Sequence, residues 1–321
     1  MKVHEAARLL GVTPRALRFY EERGLVAPAK DAGSGYRQYE TEDLETLRWI
    51  VALRELGLPI PFIADALAAR EDDERFRQTM DRARAELYEQ WVDLSRRLES
   101  LDRGMESWRG RTPAIGELEA LAAPFKEKRS IRSAWSARLD FDDMAVKYRE
   151  DAPLMTLSPP VDPHDYEEAL TATADWIDAR PGEAGLDLGS GTGNLSGRLA
   201  ASGAAVTGVE QSPAMIRIMR SRFPELPVKQ GNLLALPLPA RTYRFAGSSF
   251  ALQHLREDER MLALAEIDRV LLPGGRLALT DRLDGGAFSA MSEALRTQHY
   301  SVVTKPLRGG ITLLYAVKPG P

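Results

Sequence analysis

Leu186-Asp187-Leu188-Gly189-Ser190-Gly191-Thr192-Gly193-Asn194 is the stretch whose reading decides the fold. An apolar run (Ala184, Leu186, Leu188) stops at three alternating glycines, and a helix-compatible segment follows from Leu195. The pattern predicts a strand, a tight turn and a helix start, with the turn's peptide N–H groups left open for a ligand. Glu210 follows after a second apolar run over 204–209. An acid at that distance from the turn can accept both hydroxyls of a ribose. The dinucleotide fingerprint spaces its glycines as G-x-G-x-x-G. Here they fall as G-x-G-x-G, with Asn194 in the place of the third glycine.

Outward from this stretch, apolar runs and amphipathic segments alternate. Helices are expected over 166–179, 195–202, 213–222, 257–272 and 287–298. Strands are expected over 184–188, 205–209, near 228, over 244–249 and 276–281, and near 300–305 and 311–317. Such alternation builds a doubly wound α/β sheet. Ligands bind such sheets outside the carboxyl ends of the strands, where residues 189–193 would sit.

The N-terminal third reads differently. Val3, Ala6, Ala7, Leu9 and Leu10 have helical spacing and end at Gly11. Thr13-Pro14 is an N-cap followed by proline at the first helical position, opening a short helix that Gly24 stops. Helix, glycine-containing turn and short helix form a helix-turn-helix pattern, with Arg15 and Arg18 able to reach a major groove. Residues 36–39 read as one strand of a two-stranded ribbon with Arg37 pointing outward. Thr41 is expected to cap the next helix, and 59–69 forms another. Over residues 1–70, ten Lys and Arg face ten Asp and Glu, so a basic face must come from segregation of charge.

Residues 74–108 carry apolar side chains at Phe76, Met80, Ala83, Leu87, Trp91, Leu94, Leu98, Leu101, Met105 and Trp108, a heptad seam with one four-residue stutter. A helix of this length extends about 50 Å, too far to pack only on its own small domain. The glycines, prolines and charged run over 109–132 read as a linker with a short helix at 117–123.

Bulk properties narrow the function. The chain has 321 residues, enough for about two domains at roughly 100–200 residues each. No cysteine is present, which excludes disulfides and thiolate chemistry, and four scattered histidines offer no metal site. A net charge of −4 gives no global pull toward nucleic acid. No apolar run approaches the roughly 20 residues of a membrane span, and the N-terminus lacks a signal-peptide core, so a cytoplasmic protein without membrane partners is expected.

Residues 1–72 resemble the MerR family of bacterial transcription regulators. The resemblance lies in Glu5-Ala6-Ala7, Gly11-Val12-Thr13-Pro14-Arg15-Ala16-Leu17-Arg18-Phe19-Tyr20-Glu21, Gly24-Leu25-Val26, Gly35-Tyr36-Arg37-Gln38-Tyr39 and Leu53-Arg54-Glu55-Leu56-Gly57-Leu58. It implies an all-α winged helix-turn-helix that contacts promoter DNA through Thr13, Arg15, Arg18, Tyr20, Arg37 and Tyr39. It also implies an antiparallel coiled coil over 73–108 that makes a homodimer, and RNA polymerase as a partner at the promoter.

Residues 133–321 resemble class I S-adenosylmethionine-dependent methyltransferases, in particular the UbiE/BioC-like and YrrT-like small-molecule enzymes. The glycine stretch matches their first motif. Glu210-Gln211-Ser212-Pro213-Ala214-Met215 matches the acid and helix start that hold the ribose. Gly231-Asn232-Leu233-Leu234-Ala235-Leu236-Pro237 matches the segment framing the adenine, with Asn232 for the usual aspartate and its carbonyl still able to meet the adenine amino group. Ser248-Ser249-Phe250-Ala251-Leu252-Gln253-His254-Leu255 matches the loop near the transferred methyl, and Phe141 to Tyr148 the aromatic lead-in.

This second resemblance implies a Rossmann-like domain that binds S-adenosylmethionine or S-adenosylhomocysteine. The implied contacts are Tyr148, Asp187, Gly189, Ser190, Gly191, Gly193, Asn194, Glu210, Gln211, Met215, Asn232, Leu233 and Ser249. Two departures count against an enzyme. Tyr243-Arg244 replaces the acid that usually opens the fourth strand, and one helix alone separates the fifth strand from the last pair. His254 is the sole reasonable base. No N/D-P-P-Y/F motif of DNA methylation follows the fourth strand. The expected function is a dimeric regulator whose C-terminal domain senses the cofactor or a small-molecule effector. The alternative is a working methyltransferase, with a small-molecule acceptor, tethered to a DNA-binding head.

Overall fold

The computed structural model describes residues 1–31, 35–136, 141–145 and 160–320. They divide into two compact units, Met1–Leu87 and Tyr88–Pro321, and the division falls inside one long helix rather than in the expected linker.

The first unit is built on α1 (Val3–Leu10), α2 (Pro14–Glu22), α3 (Thr41–Glu55) and α4 (Ile60–Ala68). Thr13 caps α2 as its sequence predicts, its hydroxyl accepting the amide of Ala16 at 3.1 Å. Thr41 does not cap α3. Glu40 occupies that position, and its amide donates to the Asp43 carboxylate at 2.9 Å, the reciprocal half of a capping box. Strands β1 (Ala29–Lys30) and β2 (Arg37–Gln38) pair antiparallel as the wing. Leu17, Tyr39, Leu47, Ile50 and Ile63 form the buried centre, and Phe76, Met80 and Leu87 of α5 (Asp73–Ser107) pack against it.

In the second unit, α6 spans Ile115–Ser136 and carries Pro124 inside it. The expected 109–132 linker is therefore mostly helix. Proline removes one backbone hydrogen bond from a helix interior. The helix nevertheless continues, and beyond the proline it buries Arg132 and Trp135 and packs Ile131 against the core. On α5 the heptad seam divides. Trp91, Leu94, Leu98, Leu101 and Met105 stand exposed, by 47% to 66%, where the earlier apolar positions are covered.

The sheet has the order β5-β4-β3-β6-β7-β9-β8, with β3 (Ala184–Leu188), β4 (Ala205–Glu210), β5 (Val228–Gln230), β6 (Tyr243–Ser249) and β7 (Leu271–Asp281) parallel. Antiparallel β8 (Ser301–Pro306) and β9 (Thr312–Val317) complete it. Strand β7 starts earlier than expected and takes in Pro273-Gly274-Gly275. The flanking helices are α7 (Phe141–Ala145), α8 (Pro163–Ile177), α9 (Asn194–Ala200), α10 (Pro213–Arg222), α11 (Glu257–Val270) and α12 (Gly285–Thr297).

Apolar residues cover both sheet faces. One core gathers Leu186, Leu188, Leu264, Ile267 and Met291, the other Leu170, Ile177, Leu195, Leu199 and Phe245. The order reverses between β4 and β6 on either side of β3, so the switch-point crevice opens at the end of β3. No helix among the described residues is long and apolar enough to cross a membrane.

Candidate functional site

A cleft opens at that switch point. It is lined by Asp187, Gly189, Ser190, Gly191, Asn194, Glu210, Gln211, Met215, Asn232, Leu233, Ser249 and His254, which the sequence had singled out. Gly193 is the helix cap behind them. Tyr148 lies outside the described residues.

Four amides of the glycine turn are already engaged. Gly189 and Ser190 both donate to the Val209 carbonyl, at 2.9 and 3.1 Å. Gly191 donates to Glu210 Oε2 at 2.9 Å and Gly193 to the Ser190 carbonyl at 2.8 Å. Four of the turn's amides are thus used within the fold, three of them by acceptors on β4, and the Thr192 amide is not among them. What the glycines supply is backbone conformation and space. Gly189 has φ +70°, and a Cβ there would fall 2.5 Å from that of Ala251. Gly191 has φ +53°, and a Cβ there would find only Met215 Sδ, at 3.9 Å.

The polar groups facing the cleft are mainly acceptors. Asp187 is buried and accepts from Ser196 Oγ at 2.6 Å. Burial pushes its carboxyl up to about 7, against the lowering effect of that hydrogen bond. Glu210 is also raised by burial, although the amides of Gly191, Gln211 and Ser212 all donate to it. The buried Ser190 hydroxyl has no hydrogen-bond partner among the described residues.

Asn194, in place of a third glycine, braces the turn. Its amide donates to Tyr166 Oη at 3.0 Å and its carbonyl accepts from Arg222 at 2.7 Å. Asn232 departs from expectation. Its Oδ1 accepts the amides of Leu234 and Ala235, at 2.9 and 3.0 Å, so the carbonyl assigned to the adenine amino group is occupied by its own loop. Ser249 shares a hydroxyl cluster with Thr173 and Thr280. The His254 ring meets Phe141 edge-on at 5.4 Å, and desolvation lowers its pKa, so the imidazole is neutral at pH 7.

Sequence reasoning missed Trp135 and Tyr166, and named Phe250 only within the loop matched to the position near the transferred methyl. Trp135 and Phe141 line the cleft with a ring separation of 6.0 Å, and Tyr166 and Phe250 do so at 5.3 Å. Trp135 donates its indole N–H to Gln211 at 2.9 Å. The signal available was the lone tryptophan at the end of an apolar-spaced segment. Phe141 was read, and its neighbour Asp142 turns out to accept from Ser212 Oγ and the Ala214 amide at the start of α10.

In the first unit Thr13, Arg15 and Arg18 are exposed on and before α2. Tyr20 and Tyr39 are not: both are buried at 7% and 1% exposure. The Tyr39 hydroxyl and the Arg37 guanidinium both bind the Glu21 carboxylate, so the wing is pinned to α2 and Arg37 is half-buried rather than free. The two tyrosines belong to the core beneath α2 and the wing. Tyr36 is the wing's exposed aromatic, at 69%.

The second unit is a Rossmann-like α/β domain, and the first is a helix-turn-helix with a two-stranded wing. Residues 1–70 match the MerR HTH family regulatory protein and residues 186–275 match the Methyltransferase domain. An uncharacterized methyltransferase of Bacillus licheniformis is 33% identical over 156 residues, 44% of this chain and 71% of that protein. Another, from Alkaliphilus oremlandii, is 32% identical over 118 residues, 37% of this chain and 54% of its own length. The chain thus spans only about half of some curated relatives it matches. A solved structure of magnesium protoporphyrin IX methyltransferase from Synechocystis with bound S-adenosylmethionine aligns at TM-score 0.43 and 19% identity, over 49% of this chain and 81% of that one. The chain belongs to the methyltransferase family in its C-terminal region and carries a MerR-type helix-turn-helix at its N-terminus.

Proposed function

We propose that the protein is a dimeric MerR-type transcription regulator whose C-terminal cleft binds S-adenosylmethionine, or its product S-adenosylhomocysteine, as the effector. The observation that carries the choice of ligand is the use of the turn amides. A pyrophosphate needs open N–H groups, and here those of Gly189, Ser190, Gly191 and Gly193 are all engaged. The buried acids Asp187 and Glu210 instead favour a ligand that brings hydrogen-bond donors. S-adenosylmethionine brings a ribose diol, an ammonium and a sulfonium and has no phosphate. Glu210 would take the ribose hydroxyls, and the unpartnered Ser190 hydroxyl is a further point of contact.

On the DNA side, Arg15 and Arg18 enter the major groove of promoter DNA while the wing, held by Glu21, meets the backbone. The exposed seam from Trp91 to Met105 pairs with the same seam of a second copy, which brings two heads to a palindromic site near RNA polymerase. An effector works only by binding one conformer better than the other. The test is transcription from the target promoter across a titration of S-adenosylmethionine. Output that tracks occupancy supports the reading, and identical output throughout defeats it.

A second reading, an active methyltransferase with a regulatory head, is favoured by the family and by the aromatic end of the cleft. Phe141, Tyr166, Phe250 and neutral His254 form an apolar chamber beside the cofactor residues. In-line positioning is most of what methyl transfer requires, and His254 is placed to accept a proton from an uncharged acceptor. Transfer of a labelled methyl group to a component of cell extract supports this reading.

A further inference from the structure

We propose that residues 231–238 form a coupling element that transmits occupancy of the cleft to helix α5 through Arg132 and Glu266. This inference rests on the reading of the cleft as an S-adenosylmethionine site and adds the route by which the rest of the molecule senses it.

The segment has two ends with different duties. Gly231, Asn232 and Leu233 line the cleft, while Leu234, Leu236 and Leu238 are buried in the core beyond it. Its backbone is held by three side chains from other elements. Arg132 of α6 donates to the Leu234 carbonyl at 3.1 Å. Glu266 of α11 accepts the Leu236 amide at 3.0 Å. Arg269 donates to the carbonyls of Leu236 and Leu238, at 3.0 and 2.7 Å.

Two of these three also grip α5. Arg132 is paired with Asp93 at 2.8 Å and Glu89 at 3.3 Å, and Glu266 is paired with Arg96. One buried cation and one buried anion therefore each hold a backbone atom of the cleft segment and a side chain of α5. Trp135 stands one helical turn after Arg132 on α6, lines the cleft and binds Gln211. A ligand seated between Gln211 and Leu233 thus touches α6 through Trp135 and the 231–238 segment that the clamp holds.

The geometry on α5 fits transmission. Glu89, Asp93 and Arg96 fall at i, i+4 and i+7 on one face. The exposed seam of Trp91, Leu94, Leu98, Leu101 and Met105 lies roughly 150° around the helix from it. One side of α5 is fastened to the cleft wall and the other is left for a partner. Buried ion pairs hold one arrangement, because a displaced charge loses its partner in low dielectric. A shift of the segment must then move α5 with it or break the pairs.

Hydrogen exchange on the full chain, with and without saturating S-adenosylmethionine, tests this directly. In the wild type, exchange should slow in cleft peptides covering 187–194 and 231–236. Peptides covering 88–103 of α5 should change by about threefold or more. In Asp93→Asn/Arg96→Gln, altered only on α5, cleft protection should persist while the α5 response disappears. Protection of the wild-type cleft with α5 unchanged would overturn the coupling, as would an α5 response that survives in the variant. An unprotected cleft would overturn the ligand reading itself and the coupling with it, an outcome distinct from the other two.

Discussion

Glu210 Oε2 accepts the amide of Gly191 at 2.9 Å, so the acid at the end of one strand fixes the shape of the turn at the end of its neighbour. The same carboxylate holds the amides of Gln211 and Ser212. Glu210→Ala releases three donors at once and removes the acceptor offered to a ribose. Hydrogen bonds to a charged group contribute about 1.5–3 kcal/mol each. Loss of both ribose bonds should therefore lower affinity for S-adenosylmethionine by about 100-fold or more by calorimetry. An unchanged dissociation constant would remove Glu210 from the site.

The seam on α5 predicts the oligomeric state. Leu94 and Leu98 are more than half exposed, while Phe76 and Met80 of the same helix are packed. Leu94→Glu/Leu98→Glu places charge in the proposed dimer interface without touching the core of either unit. Sedimentation should report a monomer, with affinity for a palindromic site down roughly 100-fold as bivalency is lost. A variant that stays dimeric would locate the interface elsewhere.

Arg18 is exposed on α2, whereas Arg37 is tied to Glu21. Arg18→Ala should weaken DNA binding by about 1–3 kcal/mol and leave cofactor affinity unchanged. Mobility-shift titration and calorimetry on the same preparation check both halves. A change in cofactor affinity equal to the change in DNA affinity would mean that the variant is misfolded.

Asp187 makes stability depend on pH. In the unfolded chain its carboxyl ionises near pH 4, and in the fold it holds its proton to about 7. Between those values the native state binds the extra proton. The stability carried by the neutral carboxyl is therefore complete below about pH 4 and is lost as pH rises through 7. A three-unit shift is worth at most about 4 kcal/mol. Asp187→Asn cannot ionise, so the difference in urea midpoint between wild type and variant should move in the variant's favour from pH 5 to pH 8. A constant difference would mean that Asp187 is ionised throughout.

The sheet was readable because its strands are bounded by glycine and proline and separated by amphipathic helices. The cleft residues were readable because they cluster at the turn after β3 and the ends of β4 and β6. What sequence could not supply was the use of each polar group. Open amides at residues 189–193 were expected from glycine content, but β4 lies close enough to accept those of Gly189, Ser190 and Gly191. Asn232 was assigned to the ligand, but a short polar side chain beside its own loop amides satisfies those first. Tyr39 was assigned to DNA on the MerR resemblance. Its ring is buried, and its hydroxyl serves Glu21 instead. The helix through Pro124 was invisible because its support, around Trp135 and Arg132, comes from residues about 75–100 positions further along the chain.

The central claim is that the cleft is a live S-adenosylmethionine site inside a DNA-binding protein, and calorimetry on the purified full chain addresses it before any acceptor or promoter is known. Gly191→Val is the control: its backbone lies in the left-handed region with open space before it, so a side chain there enters the cleft. The account predicts one site per chain saturating in roughly the micromolar range. It predicts no binding heat for Gly191→Val, whose DNA affinity stays that of the wild type. Absence of binding by the folded wild-type chain, or equal binding by Gly191→Val, would contradict it.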